Sequence, residues 1–263
     1  DEPLHLFSIV SNKSDPSLKA MKLQANKLKA DDLEAAAVGE NDKVFLITSH
    51  AATKEGKSKK KREKLIGMRL KDQQVQKLMM ADELKPAISD HLKKTLSLGK
   101  EELENIDIEG LAYHPSQKTL LIGLRSPKHK EKAIIVRMLN PSEVVEKKSA
   151  PAFGKQVQLI DLQGAGVRGF VYDKNRQRYL IAGEAPNKKG KLRPGIWSWS
   201  GKDDDKPVRL NLPKVKGVKN IEGLTIATHE GSDYLLFVCD NGKKSTNKGA
   251  AYGFIDMEDL TPR

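Results

Sequence analysis

Apolar and polar positions along this chain form short runs that come in pairs. Residues 108–113 and 119–124 make up one such pair, with a polar turn at 114–118 between them. Runs of this length, rich in Ile, Leu, Val and Tyr and bounded by turn residues, are typical of β-strands joined as hairpins. We therefore predict a chain built mainly from antiparallel strands.

The first run of each pair carries a recurring signature, in which a charged residue is followed by a small one. It occurs at Glu34-Ala35, Glu109-Gly110, Arg168-Gly169 and Glu222-Gly223, at spacings of 75, 59 and 54 residues. Such a period, with three or four short strands in each interval, is typical of a β-propeller. Small residues suit its inner strands because neighbouring backbones crowd around the axis. A β-sandwich, the rival fold, would not require the first strand of every unit to look alike.

The predicted fold class is therefore all-β: a β-propeller that forms a single domain over residues 1–263. We expect at least four recognisable blades, and five in the intact protein. The predicted strands lie at 4–10, 20–23, 33–38, 44–48, 65–70, 108–113, 119–124, 133–139, 156–161, 167–172, 178–182, 196–200, 208–212, 221–227, 233–239 and 250–256.

Residues 72–104 depart from this rhythm. The segment is rich in Leu, Lys, Glu and Ala, and Val75, Leu78 and Met79 recur at helical spacing. Apolar residues also step by four after Pro86. We predict a helical insertion of two short helices that are broken at Pro86.

The start of the chain can be interpreted in two ways. The strand at 4–10 resembles the third strand of a unit, so the N-terminal part of the first blade is missing. Alternatively, residues 20–23 close the last blade as its fourth strand. The chain begins with Asp1 rather than methionine, which indicates processing or trimming of the N-terminus. A periplasmic or secreted location and a cytoplasmic location both stay open.

Composition narrows the classes of function. The net charge of +12 favours an anionic partner or a solvated lysine-rich surface. A single cysteine, Cys239, excludes an intramolecular disulfide and a cysteine-cluster metal site. No apolar run reaches the length of a transmembrane helix. Aromatic residues are scarce and absent from the lysine-rich loops, which argues against nucleic-acid binding through base stacking.

The positive charge is concentrated in one loop of every unit, the loop between the second and third strands. These four segments, which we call the basic loops, are residues 54–64, 128–132, 188–193 and 243–248. They carry 7, 3, 4 and 3 Lys or Arg residues. Blade geometry places all four loops on one face of a propeller, so we expect that face to attract anions.

The same face should display the starts of the inner strands and the ends of the second strands. Charged or polar residues occupy both sets of positions. The inner set is Glu34, Glu109, Arg168 and Glu222, and the second set is His50, Arg125, Glu184 and Asp240. Charges that converge near an axis must be paired, hydrated or bound to a metal.

Three interpretations of this polar centre stay open. The first is a water-filled channel in which Arg168 neutralises glutamates. The second is a Ca²⁺ or Mg²⁺ site, because carboxylate oxygens suit hard cations; its ligands would be Glu34, Glu109, Glu222 and Asp240. The third is catalytic, with Glu109, His50, Arg168, Glu222 and Glu34 as the reacting groups. Ligand binding would then fall to Arg125, Arg62, Glu184 and Asp240.

Several motifs together resemble a known family. They are the repeated Glu-Gly-Leu of 109–111 and 222–224, Ser49-His50 before a basic loop, residues 123–127, and Gly166-Val167-Arg168-Gly169. This combination is similar to a bacterial family catalogued as domain of unknown function 3616, over nearly the whole chain. The family is itself distantly similar to the esterase-like phytase propellers, which share inner-strand Glu-Gly repeats.

The resulting functional hypothesis is a propeller that binds an anionic ligand, with phosphorylated molecules among the candidates, at a central polar site on a lysine-rich face. Hydrolysis of a phosphoester or related ester would be the chemistry if the site is catalytic. The alternative is a non-catalytic scaffold that binds a protein or a polysaccharide through the same face.

Overall fold

The computed structural model describes residues 30–71, 74–82, 84–212, 218–241 and 249–263, together with the backbone of two strands at 5–12 and 15–22. Its strands form four propeller blades, as predicted. Each blade is an antiparallel meander in which strands follow the order of the chain. The expectation of five blades concerns the intact protein and stays a prediction.

The four blades are numbered from the N-terminus, and each contains three or four described strands. Blade 1 contains β3 (Leu33–Val38), β4 (Lys43–Thr48), β5 (Leu65–Lys71) and β6 (Gln74–Ala81). Blade 2 contains β7 (Asp107–His114), β8 (Thr119–Ser126), β9 (Ala133–Met138) and β10 (Gln158–Ile160). Blade 3 contains β11 (Gly169–Asp173), β12 (Arg178–Pro186), β13 (Leu192–Trp199) and β14 (Val208–Arg209). Blade 4 contains β15 (Ile221–His229), β16 (Ser232–Cys239) and β17 (Tyr252–Asp256).

Two further strands precede blade 1 and form a hairpin of their own. β1 (His5–Asn12) and β2 (Asp15–Lys22) pair only with each other. Ala20 lies opposite Phe7 in this hairpin. The suggestion that residues 20–23 close the last blade as a fourth strand is therefore wrong for residues 20–22, because they pair with β1 and do not belong to the sheet of blade 4. Leu23 lies outside the described residues.

The core lies between the blades. Alternation along β4 and β5 turns Phe45, Ile47 and Leu65 toward blade 2, where they join its buried residues Leu120 and Ile122. Equivalent apolar layers join blade 2 to blade 3 and blade 3 to blade 4. Each large aliphatic side chain buried in this way stabilises the fold by about 1.5–3 kcal/mol. Inter-blade packing therefore holds the inner strands in place around the axis.

The segment predicted as a helical insertion is helical only in its second part. Helix α1 (Leu84–Leu96) and helix α2 (Lys100–Glu104) are present, but residues 74–81 form β6. The helical expectation for Val75 to Met79 is wrong because hydrogen bonding to β5 completes the blade, and this outweighs a short apolar period. Pro86 does not break a helix either. It is the third residue of α1, where backbone N–H groups have no partner within the helix.

One short helix was not predicted. α3 (Pro141–Lys147) follows β9, begins with proline at its first position, and buries Val144 and Val145. Val145 packs against blade 1, so closely that a Cβ on Gly67 would lie 2.7 Å from its Cγ2. The sequence signal was the Asn-Pro start, which suits the first turn of a helix.

Candidate functional site

The three described basic loops, 54–64, 128–132 and 188–193, lie at the end of the molecule where the inner strands begin. The backbone N–H of Asp31, just before β3, donates to the carbonyl of Lys61 at 2.9 Å. The carbonyl of Ser49 accepts from the N–H of Ile108 in β7 at 2.8 Å, and Lys128 Nζ donates to the carbonyl of Gly164 at 2.9 Å. These contacts hold the loop ends of blades 1 and 2 against the starts of inner strands of the same or the next blade.

The glutamates that open three of the inner strands share an unusual backbone position. In each case the residues on either side have a partner in the neighbouring strand, β4, β8 or β16. The glutamate between them has no partner in this register. These unpaired residues are Glu34, Glu109 and Glu222. A bulge of this kind bends the strand and redirects a side chain, and it occurs often beside functional sites. The Glu-small signature in the sequence is therefore the mark of a bulge at the start of the inner strand.

Arg168 joins the blades at the axis. Its Nη1 lies 2.6 Å from Glu222 Oε1 and 3.4 Å from Glu109 Oε2, and its Nε lies 3.6 Å from Glu184 Oε2. These are carboxylates of blades 2, 3 and 4. We call Glu34, Glu109, Arg168 and Glu222 the axial cluster. Of the residues predicted to converge, the structure thus joins Glu109, Glu184 and Glu222 through this arginine.

Arg125 forms a second cationic contact at the edge of the cluster. Its Nη1 lies 2.7 Å from Glu109 Oε1 and 3.3 Å from Asp107 Oδ2, while 46% of its side chain stays exposed. Sequence reasoning missed Asp107, although it stands two residues before Glu109 on β7. Such i, i+2 spacing places two side chains on the same face of a regular strand and could have drawn attention to it.

Glu34 has no such direct contact, and Arg62, which acts on it through its charge, is held by Asp31 and Asp32. Glu34 forms no ion pair or hydrogen bond with any described residue, as far as the structure covers the chain. The pKa of its carboxyl is raised to about 8, first by burial and then by the charges of the neighbouring carboxylates Glu109, Asp32, Asp107 and Glu222. Glu34 therefore holds a proton at neutral pH and can donate a hydrogen bond.

The other two glutamates of the cluster are perturbed in the same direction. Burial raises the pKa of Glu109 to about 7, against the opposing effects of Arg168 and Arg125. Burial also raises the pKa of Glu222, again opposed by Arg168. Carboxyl groups that titrate near neutrality within a concave site are candidates for acid–base chemistry or for ligand binding.

The three glutamates line one cavity of about 330 Å³ that residues of all four inner strands surround. Its remaining walls are largely apolar and include Leu33, Leu46, Phe170, Leu224 and Val238. The cavity therefore combines acidic groups with aliphatic walls at the axis.

Of the predicted residues, Glu34, Glu109 and Glu222 line this cavity. Arg168, Arg125 and Glu184 do not line it but belong to the ion pairs beside it. His50, Asp240 and Arg62 neither line it nor form an ion pair with its glutamates. His50 is fully buried. Its Nδ1 donates to the carbonyl of Thr48 at 2.7 Å, and burial lowers its pKa to about 4. Asp240 is exposed and influences the site only through its charge, which raises the pKa of Glu222.

Arg62 binds the segment that leads into β3. Its Nε lies 3.2 Å from Asp31 Oδ2, and its Nη1 lies 3.2 Å from Asp32 Oδ2. Ser49 Oγ also donates to Asp32 at 2.6 Å. Arg62 therefore anchors a basic loop to the start of the inner strand, and its guanidinium is already engaged by carboxylates.

The predicted metal ligands do not form an assembled set. Among the residues that the structure describes, no group of three or more His, Cys, Asp or Glu side chains is arranged to hold a metal ion. Glu109 and Glu222 direct oxygens at arginines instead. The Ca²⁺ or Mg²⁺ interpretation therefore stays a prediction.

Outside the cavity, the face is strongly positive. The three described basic loops, 54–64, 128–132 and 188–193, contain 14 Lys or Arg residues against three Glu, a net charge of +11. Most of these side chains are exposed or half-exposed. The fourth basic loop, 243–248, lies outside the described residues. The three described loops thus form a positive rim beside an acidic centre.

Comparison with known proteins places the chain in a family. No helix in the described part of the chain is both long and apolar enough to cross a membrane. No curated protein matches the chain. The family model described as "Protein of unknown function (DUF3616)" matches residues 16–255, and the chain therefore belongs to this family.

Proposed function

We propose that this protein binds an anionic ligand, with phosphate or carboxylate groups, on the face that carries the basic loops. The observation that carries the proposal is the net charge of +11 on three loops at one end of the molecule, nearly the whole net charge of +12 of the chain. Clustered exposed cations raise the local concentration of anions and speed their association.

Arg125 is the group at which the ligand would be oriented. It lies between the positive rim and the axial cluster, and its side chain is almost half exposed. A guanidinium offers five N–H donors, and the ion pairs to Asp107 and Glu109 both use Nη1. Phosphate and carboxylate oxygens match the planar geometry of the remaining donors.

The test is binding of tripolyphosphate, measured by calorimetry at several salt concentrations. We expect affinity to fall as salt rises, because the contacts are between exposed charges. The double variant Lys57→Gln/Lys60→Gln removes two cations from the first basic loop and should weaken binding about fivefold. Lys118→Gln/Lys174→Gln removes the same charge from turns at the opposite end of the blades and should have little effect. An equal loss of affinity for tripolyphosphate in both variants would contradict binding at the face that carries the basic loops.

A second function, ester hydrolysis at the axis, is favoured by two glutamates with raised pKa values in one cavity, Glu34 and Glu109, the second of which is paired with Arg125. In this scheme water adds to the phosphorus or acyl carbon, and the bond to the leaving oxygen breaks. Glu34 passes its proton to that oxygen, while an ionised neighbouring carboxylate accepts the proton of the water. Arg125 stabilises the developing negative charge.

Generic phosphomonoester, phosphodiester and carboxylester substrates test this chemistry. Turnover should fall as pH rises through about 8, because Glu34 then loses its proton. Glu34→Gln should lower turnover at least about tenfold, a range usual for a general acid, whereas His50→Ala should retain activity if it folds. Turnover that survives both Glu34→Gln and Glu109→Gln would reject the assignment. Salt-sensitive binding without turnover would favour the non-catalytic protein- or polysaccharide-binding module.

A further inference from the structure

Two arginines lie directly opposite each other at the outer edge of blade 3. Residues 261–263 return to this edge, where Leu210 and Pro262 form an antiparallel bridge. In the same register the N–H of Arg263 donates to the carbonyl of Arg209 at 2.9 Å. Directly opposed side chains on neighbouring strands share one face of the sheet, with Cβ atoms about 4.5–5.5 Å apart, and like charges in such a pair are destabilising.

The side chain of Arg209 is held in place by neutral groups. Its Nη1 donates to Gln163 Oε1 at 2.7 Å, and its guanidinium carbon lies 5.1 Å from the centre of the buried Trp197 ring. Gly195 leaves room for this arrangement, because a Cβ there would lie 3.1 Å from Arg209 Nη2. The fold therefore restricts the rotamers of Arg209, and a ligand at this edge meets a guanidinium that is already oriented.

Neither guanidinium has an acidic partner among the described residues. Arg209 and Arg263 form no ion pair with them. Arg62, Arg125 and Arg168, by contrast, all contact carboxylates. Burial, and then the charge of Arg263, lower the pKa of Arg209, so both effects act against its charged form. An anion between the two guanidiniums would relieve their repulsion and accept from the remaining N–H groups of Arg209.

The chemistry of this edge favours a phosphate group as that anion. A phosphate monoester carries a charge of about −1.5 to −2 at pH 7, which two guanidiniums balance, and its oxygens match their planar donors. A carboxylate would neutralise only one of the two cations. Asn211 and Thr261, the next pair of opposed residues on the same face, add an amide and a hydroxyl.

We propose that Arg209 and Arg263 form a clamp that binds a phosphate monoester at the outer edge of blade 3. Neither residue belongs to the basic loops or to the axial cluster, so the proposal goes beyond the anion binding proposed above and is independent of it. The phosphate group is carried either by a small molecule or by a phosphorylated peptide.

Fluorescence titration with methyl phosphate tests the proposal, because Trp197 lies beside the Arg209 guanidinium and reports on a ligand that binds there. We expect a saturable change at pH 7.5, and no change with sodium chloride of the same ionic strength. Arg209→Gln and Arg263→Gln should each weaken binding about tenfold, as for loss of a charge-assisted hydrogen bond. Arg263 is exposed, so Arg263→Gln keeps the test valid even if Arg209→Gln does not fold. Arg209→Lys keeps the charge without the planar donors and should bind with intermediate affinity.

The matched control is Lys57→Gln/Lys60→Gln, which removes two cations from a basic loop. It should leave the titration with methyl phosphate unchanged, although we expect it to weaken tripolyphosphate binding. Failure of the clamp is thereby distinguished from failure of the proposed anion binding at the basic loops.

A second series identifies the source of the phosphate group. A blocked Gly-phosphoserine-Gly peptide is compared with methyl phosphate. Tighter binding of the peptide would indicate a phosphorylated protein, whereas equal or weaker binding would indicate a small molecule. The proposal is overturned if neither phosphate compound acts differently from sodium chloride. It is also overturned if the folded double variant Arg209→Gln/Arg263→Gln binds them as wild type does.

Discussion

Single residues at the axis show how burial and charge act together. Glu34 and Glu109 both sit in β-bulges at the start of inner strands, yet only Glu109 has arginine partners among the described residues. The pKa of Glu34 accordingly rises further, to about 8, against about 7 for Glu109. Burial favours the neutral carboxylic acid, and nearby cations partly restore the charged form.

The raised pKa of Glu34 makes a prediction about stability. The folded state holds the Glu34 proton more tightly than the unfolded state, so stability is lost as pH rises from about 4.5 to about 8. Glu34→Gln removes this loss. Because Glu34 is partly exposed, we expect the variant to be about 1–2 kcal/mol more stable than wild type at pH 9 or so, with little difference near pH 4.

Urea unfolding at the two pH values measures the effect, and Glu40→Gln is the control because its carboxylate is exposed. An unchanged loss of stability with pH in Glu34→Gln would show that other groups are responsible. Candidates are Glu109, Asp107 and Glu222, whose pKa values are also raised by burial.

At the scale of elements, the inner strands combine a bulge with a small residue. The bulge turns a glutamate toward the axis, and the residue after it must admit a neighbouring strand. A Cβ on Gly110 would lie 2.4 Å from Val167 Cγ1, at the segment that leads into blade 3. The Glu-Gly pair therefore serves two purposes: the first residue builds the site, and the second permits close packing of blades.

This packing predicts that Gly110→Ala destabilises the fold by about 2–3 kcal/mol, because the added methyl group overlaps a fully buried side chain. The double variant Gly110→Ala/Val167→Ala should recover part of the stability lost in Gly110→Ala, because it removes the Val167 methyl groups that the new methyl group overlaps. Gly249→Ala, at a position where no described atom lies within 4 Å of the added Cβ, should change the free energy of unfolding by less than about 0.5 kcal/mol. Thermal or urea unfolding gives these values. Equal effects at 110 and 249 would contradict the proposed close approach.

At the scale of the whole molecule, charge links the blades through a single side chain. Arg168 is mostly buried and contacts carboxylates of three blades. The apolar layers between blades bring these elements together, but the axis itself is polar. Its stability therefore depends on neutralising several glutamates with few cations.

Arg168→Gln should accordingly destabilise the protein by about 3 kcal/mol, because it leaves Glu109 and Glu222 without their shared partner in a buried position. Arg125→Gln is the comparison: its side chain is almost half exposed, so we expect a loss of about 1 kcal/mol or less. Lowering the pH should reduce the loss of stability in Arg168→Gln, because protonated glutamates need no counter-ion. A loss of the same size at pH 4 and pH 8 would argue against this electrostatic role.

Much of the architecture could be predicted from the sequence because strands and turns leave local signals. The paired apolar runs and the repeated Glu-Gly at 109–110 and 222–223 predicted four blades and identified the inner strands. The same local reasoning was wrong for residues 74–81. The apolar spacing of Val75 to Met79 is compatible with a helix or a strand when it is short, and pairing with β5 decided the outcome.

The candidate site, like the fold, could be predicted from the sequence only in part. The sequence alone determined that three glutamates and one arginine occupy equivalent starts of inner strands, because that follows from the repeat. Only the tertiary structure decided which charges meet. Asp107 and Glu109 share Arg125, His50 turns into the core, and Glu34 remains without a partner among the described residues. Ion pairing and burial depend on distances across blades, and these distances arise from inter-blade packing that no single repeat contains.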